Sequence, residues 1–259
     1  MTKKYFFFDI DGTLTTENPG GIILPSTMEA IEKLKENGHF VAIATGRSYR
    51  HAVEFQKMMG LSNMVHDGGY GVTINNQLID IMPLNREKAL AICLECKQKN
   101  IPFCVLSNTK GICVSHNDAF LKGGEQYTSF FSLEVIDNLD YHTLDCFYKI
   151  FISIEPEQES QIESLSLLGH SRYFEHHINV EPDDKAVGIK KMMEYMNASL
   201  EDIVVFGDGH NDLTMFQLAK TSIAMGNAID ELKEIATYVT KRSDEGGIED
   251  ACRHFKWID

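Results

Sequence analysis

The chain has 259 residues, with 24 Lys and Arg against 38 Asp and Glu, a formal net charge of −14, and 43% hydrophobic residues. This fits a soluble globular protein of one large or two modest domains and excludes a disordered, collagen-like or disulfide-stapled chain. The acidic balance argues against nucleic acid and anionic membranes as partners, and no apolar run approaches the roughly 20 residues that span a bilayer.

Met1-Thr2-Lys3-Lys4 gives a basic start, but Asp9 and Asp11 interrupt the apolar stretch at once, so it does not read as a signal peptide. Tyr5–Ile10 is a continuous apolar run, as expected of a buried parallel strand. Pro25–Asn37 reads as a helix with Ser26 as its N-cap and Gly38 as its stop. A second buried strand is expected at Phe40–Ala44, and a second helix at Tyr49–Met59, stopped by Gly60. Gly71–Ile81 looks like a hairpin around Asn75-Asn76. An amphipathic helix is expected over Arg86–Asn100, then short strands at Phe103–Leu106, Ile112–Ser115 and Phe147–Ile154, and a helix at Glu157–Leu168.

From Lys185 the alternating pattern returns. Helices are expected at Lys185–Met196, Leu213–Ala219 and Leu232–Ala236, and strands at Ile203–Phe206, Ser222–Met225 and Tyr238–Thr240. The fold class is therefore α/β: a doubly wound, mostly parallel, Rossmann-like core. Residues 1–80 and 183–259 would form that core, with an α+β domain inserted at 81–182.

The six cysteines include a single CxxC, Cys93 and Cys96, on the apolar stripe of the Arg86–Asn100 helix. A zinc site would want a second pair and a redox site a turn or helix start, so these read as core thiols. Free thiols without a signal sequence suggest a reducing, cytoplasmic setting.

In a doubly wound sheet the active site lies at the carboxyl ends of the strands. Four clusters fall at strand ends or a helix start: Asp9-Ile10-Asp11-Gly12-Thr13, Thr45-Gly46-Arg47, Lys185, and Gly207-Asp208-Gly209-His210-Asn211-Asp212. Alone, each has an ordinary reading as a turn, a solvated lysine or a calcium-type loop, the last lacking a downstream glutamate. In conjunction they supply a nucleophile, an acid/base, an anion binder, a cation and metal ligands. Asp9, Asp11, Asp208 and Asp212 cannot all stay ionised in one crevice without a cation, and a hard, oxygen-preferring ion such as Mg²⁺ answers that need. The chemistry permitted is metal-assisted phosphoryl transfer.

On these motifs the chain resembles the haloacid dehalogenase-like phosphatases, specifically the Cof-type branch with a large α+β cap, over essentially its whole length. The resemblance implies Asp9 as nucleophile and Asp11 as general acid then base, its backbone carbonyl ligating Mg²⁺. It implies Thr45 and Gly46 on the phosphoryl oxygens, Arg47 facing substrate under the cap, and Lys185 between Asp9 and the phosphate. Asp208 would be a metal ligand, Asp212 would support the metal through water, and Asn211 would lie by the phosphate or Lys185.

Two departures stand out. His66-Asp67-Gly68-Gly69-Tyr70 replaces the usual Asn-Gly, so that Asp67 is expected to alter a substrate or cap contact, and Ala186 follows Lys185, with Gly188 keeping the segment similar. Asn117, Lys122, Arg172, His176, His177 and Asn179 are candidate cap contacts; His176 and His177, adjacent in a strand, would face opposite ways and not pair on a metal. The expected partner is a small phosphorylated molecule, first of all a sugar phosphate, with the chain a monomer or weak homodimer. A phosphomutase, which would pass phosphate to a second sugar, remains open. A phosphate-sensing module like a receiver domain is the other alternative, disfavoured by the length, the insert and the presence of Asp11.

Overall fold

The computed structural model describes residues 2–122 and 132–259. The chain forms two compact units, Met1–Asp80 with Asp184–Asp259, and Ile81–Asp183. The first segment runs β1 (Tyr5–Phe8), α1 (Pro25–Glu36), β2 (Phe40–Ala44), α2 (Tyr49–Met58), β3 (Met64–His66), β4 (Gly71–Ile74) and β5 (Gln77–Ile81). The insert holds α3 (Arg86–Gln98), β6 (Phe103–Leu106), β7 (Ile112–Ser115), α4 (Ala119–Lys122), β8 (Ser132–Val135), β9 (Lys149–Ser153), β10 (His170–Phe174) and β11 (His177–Val180). The last segment is α5 (Lys185–Tyr195), β12 (Ile203–Gly207), α6 (Leu213–Leu218), β13 (Thr221–Ala224), α7 (Asp230–Ile235), β14 (Tyr238–Val239) and α8 (Gly247–His254).

In the first unit the strands order as β14-β13-β12-β1-β2-β3-β4-β5. The pairs from β14 to β3 are parallel, and β4 turns antiparallel to β3. The fold is thus α/β, with a doubly wound, mostly parallel core sheet. β1 is apolar at every position because both faces of the sheet are covered. Phe6 and Phe8 pack with Ile31 and Leu34 of α1 and Ile248 and Cys252 of α8. Phe7 packs on the other face with Ile189 and Met193 of α5. The sheet order sets β2 and β12 on either side of β1, so the loops that leave their carboxyl ends are neighbours.

In the second unit the order is β10-β11-β9-β6-β7-β8. One face carries Phe103, Val105, Ile150, Ile152, Ile178 and Val180 against α3. The other carries Cys104, Cys113 and Phe151 with Phe120 of α4. Cys93 and Cys96 are buried in the first of these layers, and all six cysteines are free thiols. Burial pushes Cys93 well up and, with Glu95 beside it, Cys96 up to about 12, so neither forms the thiolate that redox or metal chemistry uses.

Several expectations change. The Glu157–Leu168 helix is two 3₁₀ segments, Pro156–Gln161 and Glu163–Leu167. Ile162 between them is off the helical region (φ −99°, ψ 89°), and the Glu95 carboxylate of α3 takes the Glu163 and Ser164 N–H groups. Ser26 does not cap α1; Leu24 holds that position with Pro25 first in the helix, where a missing N–H costs nothing. β1 ends at Phe8, and Ile10 enters a wide turn over Ile10–Leu14. α4, β8, β10 and α8 lie beyond the elements read from the sequence. α8 buries Ile248, Ala251 and Cys252, the i, i+3, i+4 stripe of a surface helix.

Candidate active site

Asp9 follows β1, and its carboxylate Oδ1 accepts from Lys185 Nζ at 2.5 Å. Lys185, the first residue of α5, is fully buried and also donates to Asp212 Oδ1 at 2.6 Å. Asp212 Oδ2 accepts the backbone N–H groups of Asp208 (2.9 Å) and Gly209 (3.0 Å). Both Asp212 oxygens are therefore taken by protein donors. Asp208 accepts from the Thr13 hydroxyl at 2.9 Å and the Asn18 amide at 3.3 Å. One oxygen each from Asp9, Asp208 and Asp212 lies within 4.8 Å of the others, and all three residues are buried.

The turn after Asp9 makes this approach possible. Gly12 sits at φ +82°, and a Cβ there would lie 2.3 Å from Asp208 Oδ2, so only glycine admits both the conformation and the neighbour. The Asn227 side chain ties the same turn down, donating to Gly12 O at 2.8 Å and accepting from Ser243 N at 2.8 Å.

Three carboxylates face one ammonium in this cluster. Burial and the charges of Asp212 and Asp208, opposed by Lys185, hold the Asp9 carboxyl well above the usual carboxylate range. Burial and Asp212 push Asp208 up to about 6. Burial alone would lower Lys185, but Asp212 and Asp9 beside it hold its ammonium above the ordinary lysine range. Asp9 Oδ2 accepts no hydrogen bond among the described residues. A buried, oxygen-only donor set with uncompensated negative charge fits a hard divalent cation.

Asp11 stands apart from this cluster. Arg47 forks it, Nε to Oδ2 at 3.0 Å and Nη2 to Oδ1 at 2.6 Å, and Gly20 N adds a third hydrogen bond at 3.0 Å. Arg47 is thus paired with Asp11, with its guanidinium 5.4 Å from the Phe55 ring centroid. Thr45 is buried at the end of β2, its hydroxyl accepting from Arg47 N at 3.1 Å, and Gly46 lies between them. Asn211 is half-buried in the 3₁₀ turn His210–Asp212 and makes no hydrogen bond to Lys185.

Asp67 is buried, its carboxylate accepting from Tyr49 N and lying beside His66. Among the candidate contacts of the second unit, Asn117 accepts from Ala119 N, Lys122 pairs with Asp118, and Arg172 holds Ile154 O and Glu159. His176 is exposed on Glu155, whereas His177 is buried with the Phe120 ring 5.5 Å away, so the two do face apart. Asn179 is buried opposite Phe151. Thr13 lies in the first motif, and its hydroxyl proves to hold Asp208; Asn18 and Asn227 are marked by nothing in their local sequence.

Residues 6–251 match the sequence profile of the haloacid dehalogenase-like hydrolases. The chain belongs to that family. Among this family's members, YkrA of Bacillus subtilis (strain 168), provisionally named a phosphatase, is 32% identical over 96% of each chain. The 5-amino-6-(5-phospho-D-ribitylamino)uracil phosphatase YitU of the same organism is 28% identical, over 95% of this chain and 96% of its own. The solved subclass IIB sugar phosphatase BT4131 is 27% identical with a TM-score of 0.74, over 99% of this chain and all of that one. This haloacid dehalogenase-like hydrolase is an enzyme of the phosphatase class, which sets the receiver-like alternative aside. No helix among its described residues is long and apolar enough to cross a membrane.

Proposed function

We propose that the chain is a Mg²⁺-dependent phosphatase of small phosphorylated metabolites, sugar phosphates first, working through an aspartyl-phosphate on Asp9. The observation that carries this reading is the Asp9 carboxylate. Lys185 fixes one oxygen, and the other takes no hydrogen bond among the described residues, in a buried residue grouped with two further carboxylates. Asp9 and Asp208, with the Asp11 carbonyl, would hold the cation, and Asp212 would stand behind it through water. Bound there, Mg²⁺ would neutralise the substrate phosphate and let an anion enter an anionic crevice.

In the first step Asp9 Oδ2 attacks phosphorus, the bond to the leaving oxygen breaks, and Asp11 as the acid gives that oxygen its proton. In the second, Asp11 as carboxylate takes a proton from water. The water oxygen attacks phosphorus, the bond to Asp9 breaks, and inorganic phosphate leaves. Lys185 offsets charge on Asp9 throughout. Asp11 must leave the Arg47 fork to handle a proton, and phosphate oxygens, entering beside Thr45 and Gly46, are competing acceptors for that guanidinium. The substrate class draws support from the names of two relatives, a phosphatase of a phosphorylated ribityl compound and a sugar phosphatase.

The test is release of inorganic phosphate from a generic aryl phosphate with and without Mg²⁺, then a panel of phosphorylated metabolites. Mg²⁺-dependent release with hexose and pentose phosphates ahead is expected. Release that is unaffected by chelation, or transfer to a second sugar in preference to water, would overturn it.

A further inference from the structure

We propose that Asp67 is a positioning residue that holds the Thr45–Arg47 turn in register for phosphate. The proposal rests on the phosphatase reading of the site. Asp67 follows β3 at φ +50°, a left-handed conformation uncommon for non-glycine residues and taken up more readily by Asp and Asn than by most. Its backbone N–H donates to Arg47 O at 2.8 Å, and its carboxylate Oδ2 accepts from Tyr49 N at 2.8 Å. The two bonds grip the chain on either side of Ser48. Tyr49 opens α2, where the first N–H groups lack helical partners and a negative charge is favoured. Arg47 N in turn donates to the Thr45 hydroxyl at 3.1 Å, so the grip passes to the residue set against the phosphoryl oxygens.

The carboxylate is itself held from behind. His66 Nδ1 is 2.7 Å from Asp67 Oδ2 and His66 Nε2 is 3.1 Å from the Thr73 hydroxyl on β4. The His66 ring is fully buried, 5.1 Å from the Tyr49 ring, and a Cβ on Gly71 would lie 2.1 Å from it. On its other flank the same turn seats α5. Gly68 O accepts from Asp184 N at 2.9 Å, and a Cβ on Gly69 would lie 2.0 Å from Asp184 O. One three-residue turn therefore stands between the Arg47 segment and the residue before Lys185. Asp67 is outside the Asp9, Asp208, Asp212 cluster, so it acts through its neighbours.

The experiment compares Asp67→Ala, Asp67→Asn and His66→Gln in the full chain, by amide hydrogen exchange and by orthovanadate inhibition with Mg²⁺. Asp67→Ala should speed exchange of the Tyr49 amide and weaken vanadate about tenfold, raising KM for an aryl phosphate more than it lowers kcat. Asp67→Asn keeps an acceptor for Tyr49 N and should recover vanadate affinity to within about threefold of wild type. If Asp67→Ala does not fold, His66→Gln should still loosen the Tyr49 amide while sparing the 207–212 loop. Vanadate affinity and Tyr49 exchange within about twofold of wild type in both Asp67→Ala and His66→Gln would overturn the proposal. So would exchange raised evenly through the chain, with Asp67→Asn no better than Asp67→Ala. A wild-type chain that hydrolyses nothing while Asp67→Ala still frees Tyr49 would count against the phosphatase reading and for the positioning role.

Discussion

The two units treat buried charge in opposite ways. In the first, Asp9, Asp208 and Asp212 share the one ammonium of Lys185, three negative charges against one positive. In the second, the buried Glu181 carboxylate is met by the buried Lys149 ammonium at 2.5 Å. The paired charges are balanced within the fold, whereas the carboxylate cluster is left short of a cation. The difference teaches where chemistry resides: a domain stabilised for its own sake neutralises what it buries, and a site keeps an imbalance that a ligand removes.

The sharpest way to break this contrast is Asp9→Asn. Activity should fall at least about a thousandfold, about 4 kcal/mol of barrier. Stability without metal should hold or rise, because one of three crowded charges is gone; steady-state kinetics and urea melts read the two effects. Lys149→Met in the other unit leaves Glu181 buried without its cation, and should cost about 3 kcal/mol in the same urea assay.

The pH dependence should also differ in sign. Asp208 has its carboxyl pushed up to about 6 by burial and Asp212, above its unfolded value, so its folded form favours the proton. Metal-free protein should therefore lose stability as pH rises from about 4 to about 6, by about 2 kcal/mol, and saturating Mg²⁺ should reverse that loss. Glu95 of α3 runs the other way. Burial would raise it, but hydrogen bonds from Lys99, Ser164 and the Glu163 N–H bring it down to about 2. Its stabilisation is present above the unfolded value and is lost as pH falls toward about 2. Solvent screening limits this to about 1 kcal/mol, and Glu95→Gln should flatten the acid limb of the stability curve.

The same contrast decides what the sequence makes legible. Buried parallel strands are continuous apolar runs, so Asp9 after Tyr5–Phe8 and Asp208 after Ile203–Gly207 announce themselves where the hydrophobicity gives out. The residues that complete the site do not. Asn18 reaches Asp208 across 190 residues and Asn227 reaches Gly12 across 215, distances at which local sequence carries no signal. In the second unit α3 shows its buried stripe, but β11 is polar at alternate positions and becomes a strand by pairing on β9, and β10, which opens on His170, Ser171 and Arg172, becomes one by pairing on β11. The 3₁₀ turns there depend on Glu95, a side chain nearly 70 residues earlier. Asp67 reads as a departure from a motif and proves to be buried, its carboxylate taking the Tyr49 N–H of α2 and its own N–H donating to Arg47 O.

The central claim is that Asp9 becomes phosphorylated, and an acid-quenched Asp11→Asn variant tests it most directly. With an aryl phosphate, whose leaving group needs no proton, and Mg²⁺, the first step should proceed while hydrolysis stalls. Mass spectrometry should then find phosphate on the peptide carrying Asp9, and none in an Asp9→Asn control. Phosphate on a different residue, or steady wild-type turnover with no phosphopeptide trapped in either protein, would contradict the account.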